Sequence, residues 1–321
     1  GLREFCLSRG LGDVYKRQLL GQIPPWKAVQ ATLGGFCQTR PLSPKEAEFV
    51  WPMALMRLGV SIVMAAKQIQ EQPENEYLLI SQQPIRELLQ HLNALSLEEG
   101  IARSRFACGH SPIYRKVSLE TTLEKQKFFP VMGHALNPDN TLLLPLGIES
   151  STSDWLSGDV EEQSARIQQA IESSHKVFAL GLYDEIRLCY TAPEFQQDLE
   201  SRTVHLGLDV FGRAGTPIFA PLDGTFVTVH DNAQEQDYGP TLMLQHKDLS
   251  GESFFTLYGH LDPECLELWQ PGDSVQAGIR IARIGASPRN GNWPPHLHLQ
   301  VISHQMGWKT DFPGVALPSE Q

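Results

Sequence analysis

Eleven histidines are the residues of this 321-residue chain best suited to chemistry. Three short pieces near its C-terminal end carry four of them, together with one aspartate. The first is His205-Leu-Gly-Leu-Asp209. Read as a strand, alternation sets His205, Gly207 and Asp209 on one face and Leu206, Leu208 and Val210 on the other. Four residues of straight strand span about 13 Å, which is long for two side chains sharing one ion. Gly207 is where a bend or bulge could bring them together. Alone, the pair reads more simply as polar residues on the wet face of a strand. The second piece, His296-Leu-His298, sets both imidazoles on one face, within reach of a shared centre, with Leu297 and Leu299 turned toward a core. Pro294 and Pro295 fix how that strand begins. Packing histidines between strands would look the same. The third is Tyr258-Gly-His260-Leu, at the end of an apolar strand; by itself it reads as a hydrogen-bonding histidine at a turn. Taken together, two imidazoles and a carboxylate leave one position open on Zn2+, as in catalytic rather than structural zinc sites. Two further histidines then serve as proton carriers or oxyanion stabilisers. There is no HExxH helix and so no glutamate base of that protease class.

These pieces need strands to hold them. From Val204 onward, short apolar runs alternate with turn signals at Asp223-Gly224, Pro271-Gly-Asp273 and Asn290-Gly-Asn292, which predicts an all-β sandwich or barrel-like sheet. Upstream, residues 44 to 95 read as helices. Ser43, Pro44 and Glu46 form a capping pattern, and Phe49, Met53, Met56, Val60 and Val63 recur at helical spacing. Pro73 breaks the run, and a second helix is expected from Pro84 to Leu95. Between 100 and 195 the texture is mixed, with one helix expected from Val160 to Phe178.

Composition sets the outer bounds. Hydrophobic residues make up 41% and charged residues 20%, which excludes global disorder. The net charge of −11 argues against a nucleic-acid partner. No run reaches the roughly 18 apolar residues of a membrane helix; the nearest, Trp51 to Ala66, is interrupted by Pro52 and Arg57. Five scattered cysteines without a CxxC argue against a disulfide framework or a cysteine-based zinc site.

From about Arg202 to Ile302 the chain resembles the M23 (LytM/lysostaphin-type) zinc metallopeptidases. Beyond the three histidine pieces, the resemblance rests on Gly215-Thr-Pro-Ile-Phe-Ala-Pro-Leu-Asp-Gly224, Tyr238-Gly-Pro-Thr-Leu-Met-Leu-Gln-His246 and Trp269-Gln-Pro-Gly-Asp-Ser-Val275, in that family's order. It implies His205, Asp209 and His298 as zinc ligands, with His260 and His296 flanking the attacking water. The implied substrate is a peptide of peptidoglycan bridges or stems. Two departures stand out. Arg289-Asn-Gly-Asn-Trp-Pro-Pro295 replaces a loop of small residues, giving a bulkier rim, and Gln300 stands where many relatives carry an acid. His230, His246 and His304, and outside this region His91, His110, His134 and His175, are read as surface or packing residues.

A second resemblance covers the helices. Trp51-Pro-Met-Ala-Leu-Met-Arg-Leu-Gly-Val-Ser and the closing Leu-Leu-Gln-His-Leu92 look like the C-terminal tail of aminoglycoside/choline phosphotransferases, without that family's catalytic motifs. The pairing resembles a fusion in which a class III aminotransferase follows. Such a fusion implies the cytoplasm, whereas a wall hydrolase implies the cell envelope. The expected fold class is multi-domain α plus β. It comprises a stretch at 1–18 that reads as non-native, like an adapter junction, a helical tail at 19–98, and a mixed connecting region or small domain at 99–195. An antiparallel M23-like domain at 196–310 and a truncated linker at 311–321 complete it. The expected function is a zinc-dependent metalloendopeptidase, the alternative a non-proteolytic binding or scaffolding module.

Overall fold

The computed structural model describes residues 25–75, 82–93, 95–112, 117–196 and 200–320. The expected non-native stretch 1–18 lies outside the described residues. The chain divides into two compact units, one ending at Arg115 and the other beginning at Lys116.

The first unit is helical: α1 (Pro25–Thr39), α2 (Pro44–Glu71), α3 (Gln82–Asn93) and α4 (Leu97–Ala107). Helix α2 starts as the sequence predicts. The Ser43 hydroxyl accepts from the Glu46 amide and the Glu46 carboxylate accepts from the Ser43 amide, so two otherwise unpaired donors are satisfied. Leu33, Trp51, Leu58, Ile85 and Leu92 form the core. Helix α4 crosses α2 where a Cβ on Gly100 would fall 2.2 Å from the Trp51 indole, so only glycine fits there. Despite Pro52 and Arg57, α2 has the length and apolar composition of a membrane span. Its inner residues Ala47, Val50, Trp51, Ala54 and Leu58 are buried within the unit.

The second unit is built on one eight-stranded sheet. It opens with α5 (Val117–Lys125), β1 (Thr141–Leu143), α6 (Val160–Ser173) and β2 (Phe178–Gly181). Then come β3 (Val204–His205), β4 (Leu208–Phe211), β5 (Pro217–Phe219), β6 (Gly224–Asn232), β7 (Gly239–Lys247) and β8 (Ser253–Gly259). Helix α7 (Glu264–Leu268), β9 (Ser274–Val275), β10 (Arg280–Arg283), β11 (His296–Ile302) and β12 (Val315–Ala316) complete it. The sheet order is β1-β2-β4-β11-β8-β7-β6-β9, with ribbons β5–β10 and β3–β12 beside it. The β1–β2 pair is parallel and the other pairs are antiparallel. Part of the 99–195 stretch therefore lies in the same sheet as the histidine strands.

Period-two alternation gives that sheet two different faces. Val210, Phe226, Leu242, Leu244, Tyr258 and Leu297 pack on one face against Ile281, Ile284 and Cys265. Asp209, Phe211, Met243, Leu257, His298 and Gln300 belong to the other.

The helix predicted from Val160 to Phe178 stops at Ser173, and Phe178 begins β2. His175 takes a left-handed conformation with φ 54°, and the Lys176 amide donates back to the Ile171 carbonyl. That reversal ends a helix without glycine.

Candidate metal centre

Strands β4 and β11 are neighbours, and their register pairs His298 with Asp209. Both side chains therefore leave the same face of the sheet side by side. His205 arrives differently. Strand β3 pairs with β12, its register setting His205 against Val315, and the chain breaks at Leu206 and Gly207 before β4 begins. That bend brings His205 Nε2 to 3.2 Å from Asp209 Oδ1. His298 Nδ1 lies 3.0 Å from the same oxygen and 3.1 Å from His205 Nε2. A Cβ on Gly207 would come within 2.5 Å of the His298 ring, so the residue that makes the bend also makes room for the imidazole.

The proton positions follow from the partners on the far side of each ring. His205 Nδ1 is 2.8 Å from the Leu182 carbonyl; a carbonyl only accepts, so Nδ1 carries the hydrogen and Nε2 is bare. Gln300 donates through Nε2 to the Pro313 carbonyl and accepts at Oε1 from the Tyr238 hydroxyl. Its Oε1 therefore accepts from His298 Nε2, 3.1 Å away, which in the neutral ring, the form that ligates a metal, leaves His298 Nδ1 bare. Burial lowers the pKa of His205. Burial would raise the Asp209 carboxyl, but the adjoining His205 imidazole and the Arg187 guanidinium outweigh it and hold the carboxyl well below the usual carboxylate range. Two imidazole lone pairs and one carboxylate oxygen thus converge, with no hydrogen among them, at residues 1%, 2% and 4% exposed. Uncompensated convergence of acceptors in a dry site is unfavourable, and a cation resolves it. Among the described residues, His205, Asp209 and His298 form the group able to hold a metal ion. The donor set suits Zn2+ with an open position.

The other two predicted histidines stand beside this trio. His296 Nδ1 donates to the Pro294 carbonyl at 2.7 Å and His260 Nδ1 to the Asn290 carbonyl at 2.8 Å, so each ring keeps a bare Nε2. His296 Nε2 is 3.7 Å from Asp209 Oδ1, and the His260 and His296 rings are 4.3 Å apart between centroids. Burial lowers His296 to about 4 and pushes His260 well below the usual imidazole range; both are neutral at pH 7. His260 sits at φ 61°, a conformation that costs a non-glycine residue roughly 1–3 kcal/mol. Its amide donates to the Tyr238 carbonyl and its carbonyl accepts from the Gly285 amide, bonds that hold it there.

A cavity of about 260 Å3 opens over these five residues, walled in part by Tyr190, Glu194, Asp237, Trp293 and Asp311. Trp293 is the bulky rim residue that the sequence singled out. It is 6% exposed, packed edge-on against Tyr190. The remaining histidines lie elsewhere. His246 is buried between the Asp223 carbonyl and the Thr256 hydroxyl, His110 bonds the Leu42 carbonyl, and His230 is exposed. Sequence reasoning missed Leu182, Glu185 and Arg187, which stand directly behind the trio. A lone Glu-Ile-Arg in a polar stretch carries no periodic or motif signal.

Residues 203–311 match the model of Peptidase family M23, and all five site residues fall inside that span. No curated protein matches the chain. Among solved structures, the chain is similar to a zinc-containing peptidase from Vibrio cholerae, with 29% identity over 35% of this chain and 31% of that one and a TM-score of 0.27. The catalytic domain of the antimicrobial peptidase lysostaphin from Staphylococcus simulans matches at 24% identity over 37% of this chain and 78% of that one, TM-score 0.26. The catalytic domain of a prophage-encoded M23 protein from Enterococcus faecalis matches at 20% identity over 40% and 87%, TM-score 0.27. The chain spans about a third of the length of the first of these.

Proposed function

We propose that the 203–311 region is a zinc-dependent metallopeptidase that hydrolyses a peptide bond, with peptidoglycan-type peptides as the substrate class that the family resemblance implies. The observation that carries the reading is the convergence of three bare donor atoms: His205 Nε2, Asp209 Oδ1 and His298 Nδ1. These residues would hold the ion. When bound, zinc supplies Lewis acidity, which polarises a carbonyl and makes a nearby water more acidic. The chain's own groups do the rest. His296 and His260 offer neutral Nε2 atoms that take the proton of the attacking water and pass it to the departing amine nitrogen. Once charged, the same imidazoles hydrogen-bond the oxyanion that develops on the carbonyl. The cavity walls hold the peptide and limit water around it. Retention of all five groups counts against a binding module that has lost its chemistry.

The test is the zinc content of the purified chain by elemental analysis, wild type beside His298→Ala and His260→Ala. About one zinc per chain is expected, lost in His298→Ala and kept in His260→Ala, with peptide cleavage lost in both. A folded wild-type chain that takes up no zinc overturns the reading.

A further inference from the structure

The family match begins at residue 203, yet two of the three donor residues are held in place from behind by the segment 181–187. The Leu182 carbonyl fixes His205 through Nδ1. Gly181 of β2 pairs with Asp209 of β4 across the sheet. Arg187, 2% exposed, donates from Nη1 to Asp209 Oδ2 at 2.6 Å. The guanidinium is itself anchored: Nε and Nη2 both reach Glu185 Oε2, at 3.0 and 2.8 Å, and Glu185 Oε1 accepts from the Leu146 amide at 2.9 Å. A Cβ on Gly181 would lie 2.8 Å from Arg187 Nη2, so a side chain there would displace the fork.

This arrangement divides the two oxygens of Asp209. Oδ2 is engaged by a rigid planar cation whose other nitrogens are committed to a second carboxylate. Oδ1 alone faces His205 and His298. A free carboxylate could turn both oxygens toward a metal and fill the position that the chemistry needs open. Groups behind metal ligands govern ligand orientation in this way.

We propose that Arg187 is a positioning residue of the metal centre: it keeps Asp209 Oδ2 out of the coordination sphere, so that Asp209 binds through Oδ1 alone and one position stays open. The proposal rests on the metallopeptidase reading.

The experiment loads the full chain with Co2+ in place of zinc. It reads the visible absorption spectrum and measures affinity by competition with a chromophoric chelator. Arg187→Met and Arg187→Lys are compared with wild type, with near-ultraviolet circular dichroism reporting the fold. In Arg187→Met, affinity is expected to fall about 10- to 100-fold, and the cobalt bands to weaken as coordination number rises. Arg187→Lys keeps the charge without the fork and is expected to move the same way by less. If Arg187→Met does not fold, the Arg187→Lys spectrum decides. Wild-type cobalt bands and affinity within twofold of wild type in the folded variant overturn the role of Arg187 alone. A wild-type chain that binds no cobalt overturns the metal reading and this proposal with it.

Discussion

Gly207 and His298 stand so close that a single added carbon on the glycine would lie 2.5 Å from the imidazole. The contact spans 91 residues of sequence and ties the bend between β3 and β4 to the donor strand β11. Gly207→Ala is therefore expected to push the His298 ring out of line. Overpacking of this kind costs about 1–3 kcal/mol, visible as a lowered melting temperature. Zinc content should fall well below that of wild type while the far-ultraviolet spectrum is unchanged. Full zinc occupancy in Gly207→Ala would show that the ring has another way to bind.

Asp237 gives a pH-dependent prediction. Burial, then the neighbouring Asp311 and Glu194 charges, lift its carboxyl to about 6. The unfolded value is about 3.9, so the folded chain holds this proton more tightly than the unfolded one. The stability it contributes is fully present below about pH 4 and is lost as pH rises through 6. Asp237→Asn should thus stabilise the chain at pH 7, by about 1 kcal/mol once solvent screening of a partly exposed group is allowed for. At pH 4 it should have little effect. Urea denaturation of both proteins at the two pH values checks this; an equal difference at both would count against it.

Trp293 fills the wall between Tyr190 and His260, with ring centroids 6.0 and 6.2 Å away. Truncating a buried tryptophan costs about 3–5 kcal/mol, so Trp293→Ala should melt much earlier. It should also widen the cavity over the five residues. Relative kcat/KM for peptides with bulky residues beside the cut bond, against those with glycine there, is expected to rise. An unchanged ratio would mean that the indole does not meet the substrate.

Chelation provides a fourth test. A metal bound only by the folded chain stabilises it by about 2.7 kcal/mol at a free concentration 100 times its dissociation constant. EDTA should lower the wild-type melting temperature and added zinc should restore it. His298→Ala should respond to neither.

Much of the site was readable in advance because strand alternation is a strict rule. His296 and His298 share a face, Leu297 turns into the core, and Gly207 marks the place where a bend can bring His205 and Asp209 together. Contacts that depend on the tertiary path leave no such trace in the sequence. Arg187 reaches Asp209 across 22 residues from a polar stretch without periodicity, and only the docking of β2 onto β4 brings it there. The end of α6 was missed for a local reason: His175 adopts the left-handed turn that glycine ordinarily marks.

The order of the sheet has one more consequence. Its outermost strands are the shortest in it: β1 has three residues and β9 two. Pro145 lies just beyond β1, a residue with no amide hydrogen to offer a neighbour. Open sheets invite foreign strands to add to their margins. Here β1 and β9 themselves offer only three and two residues of edge for such an addition, and the long, apolar strands β7 and β8 lie inside the sheet, each paired on both sides.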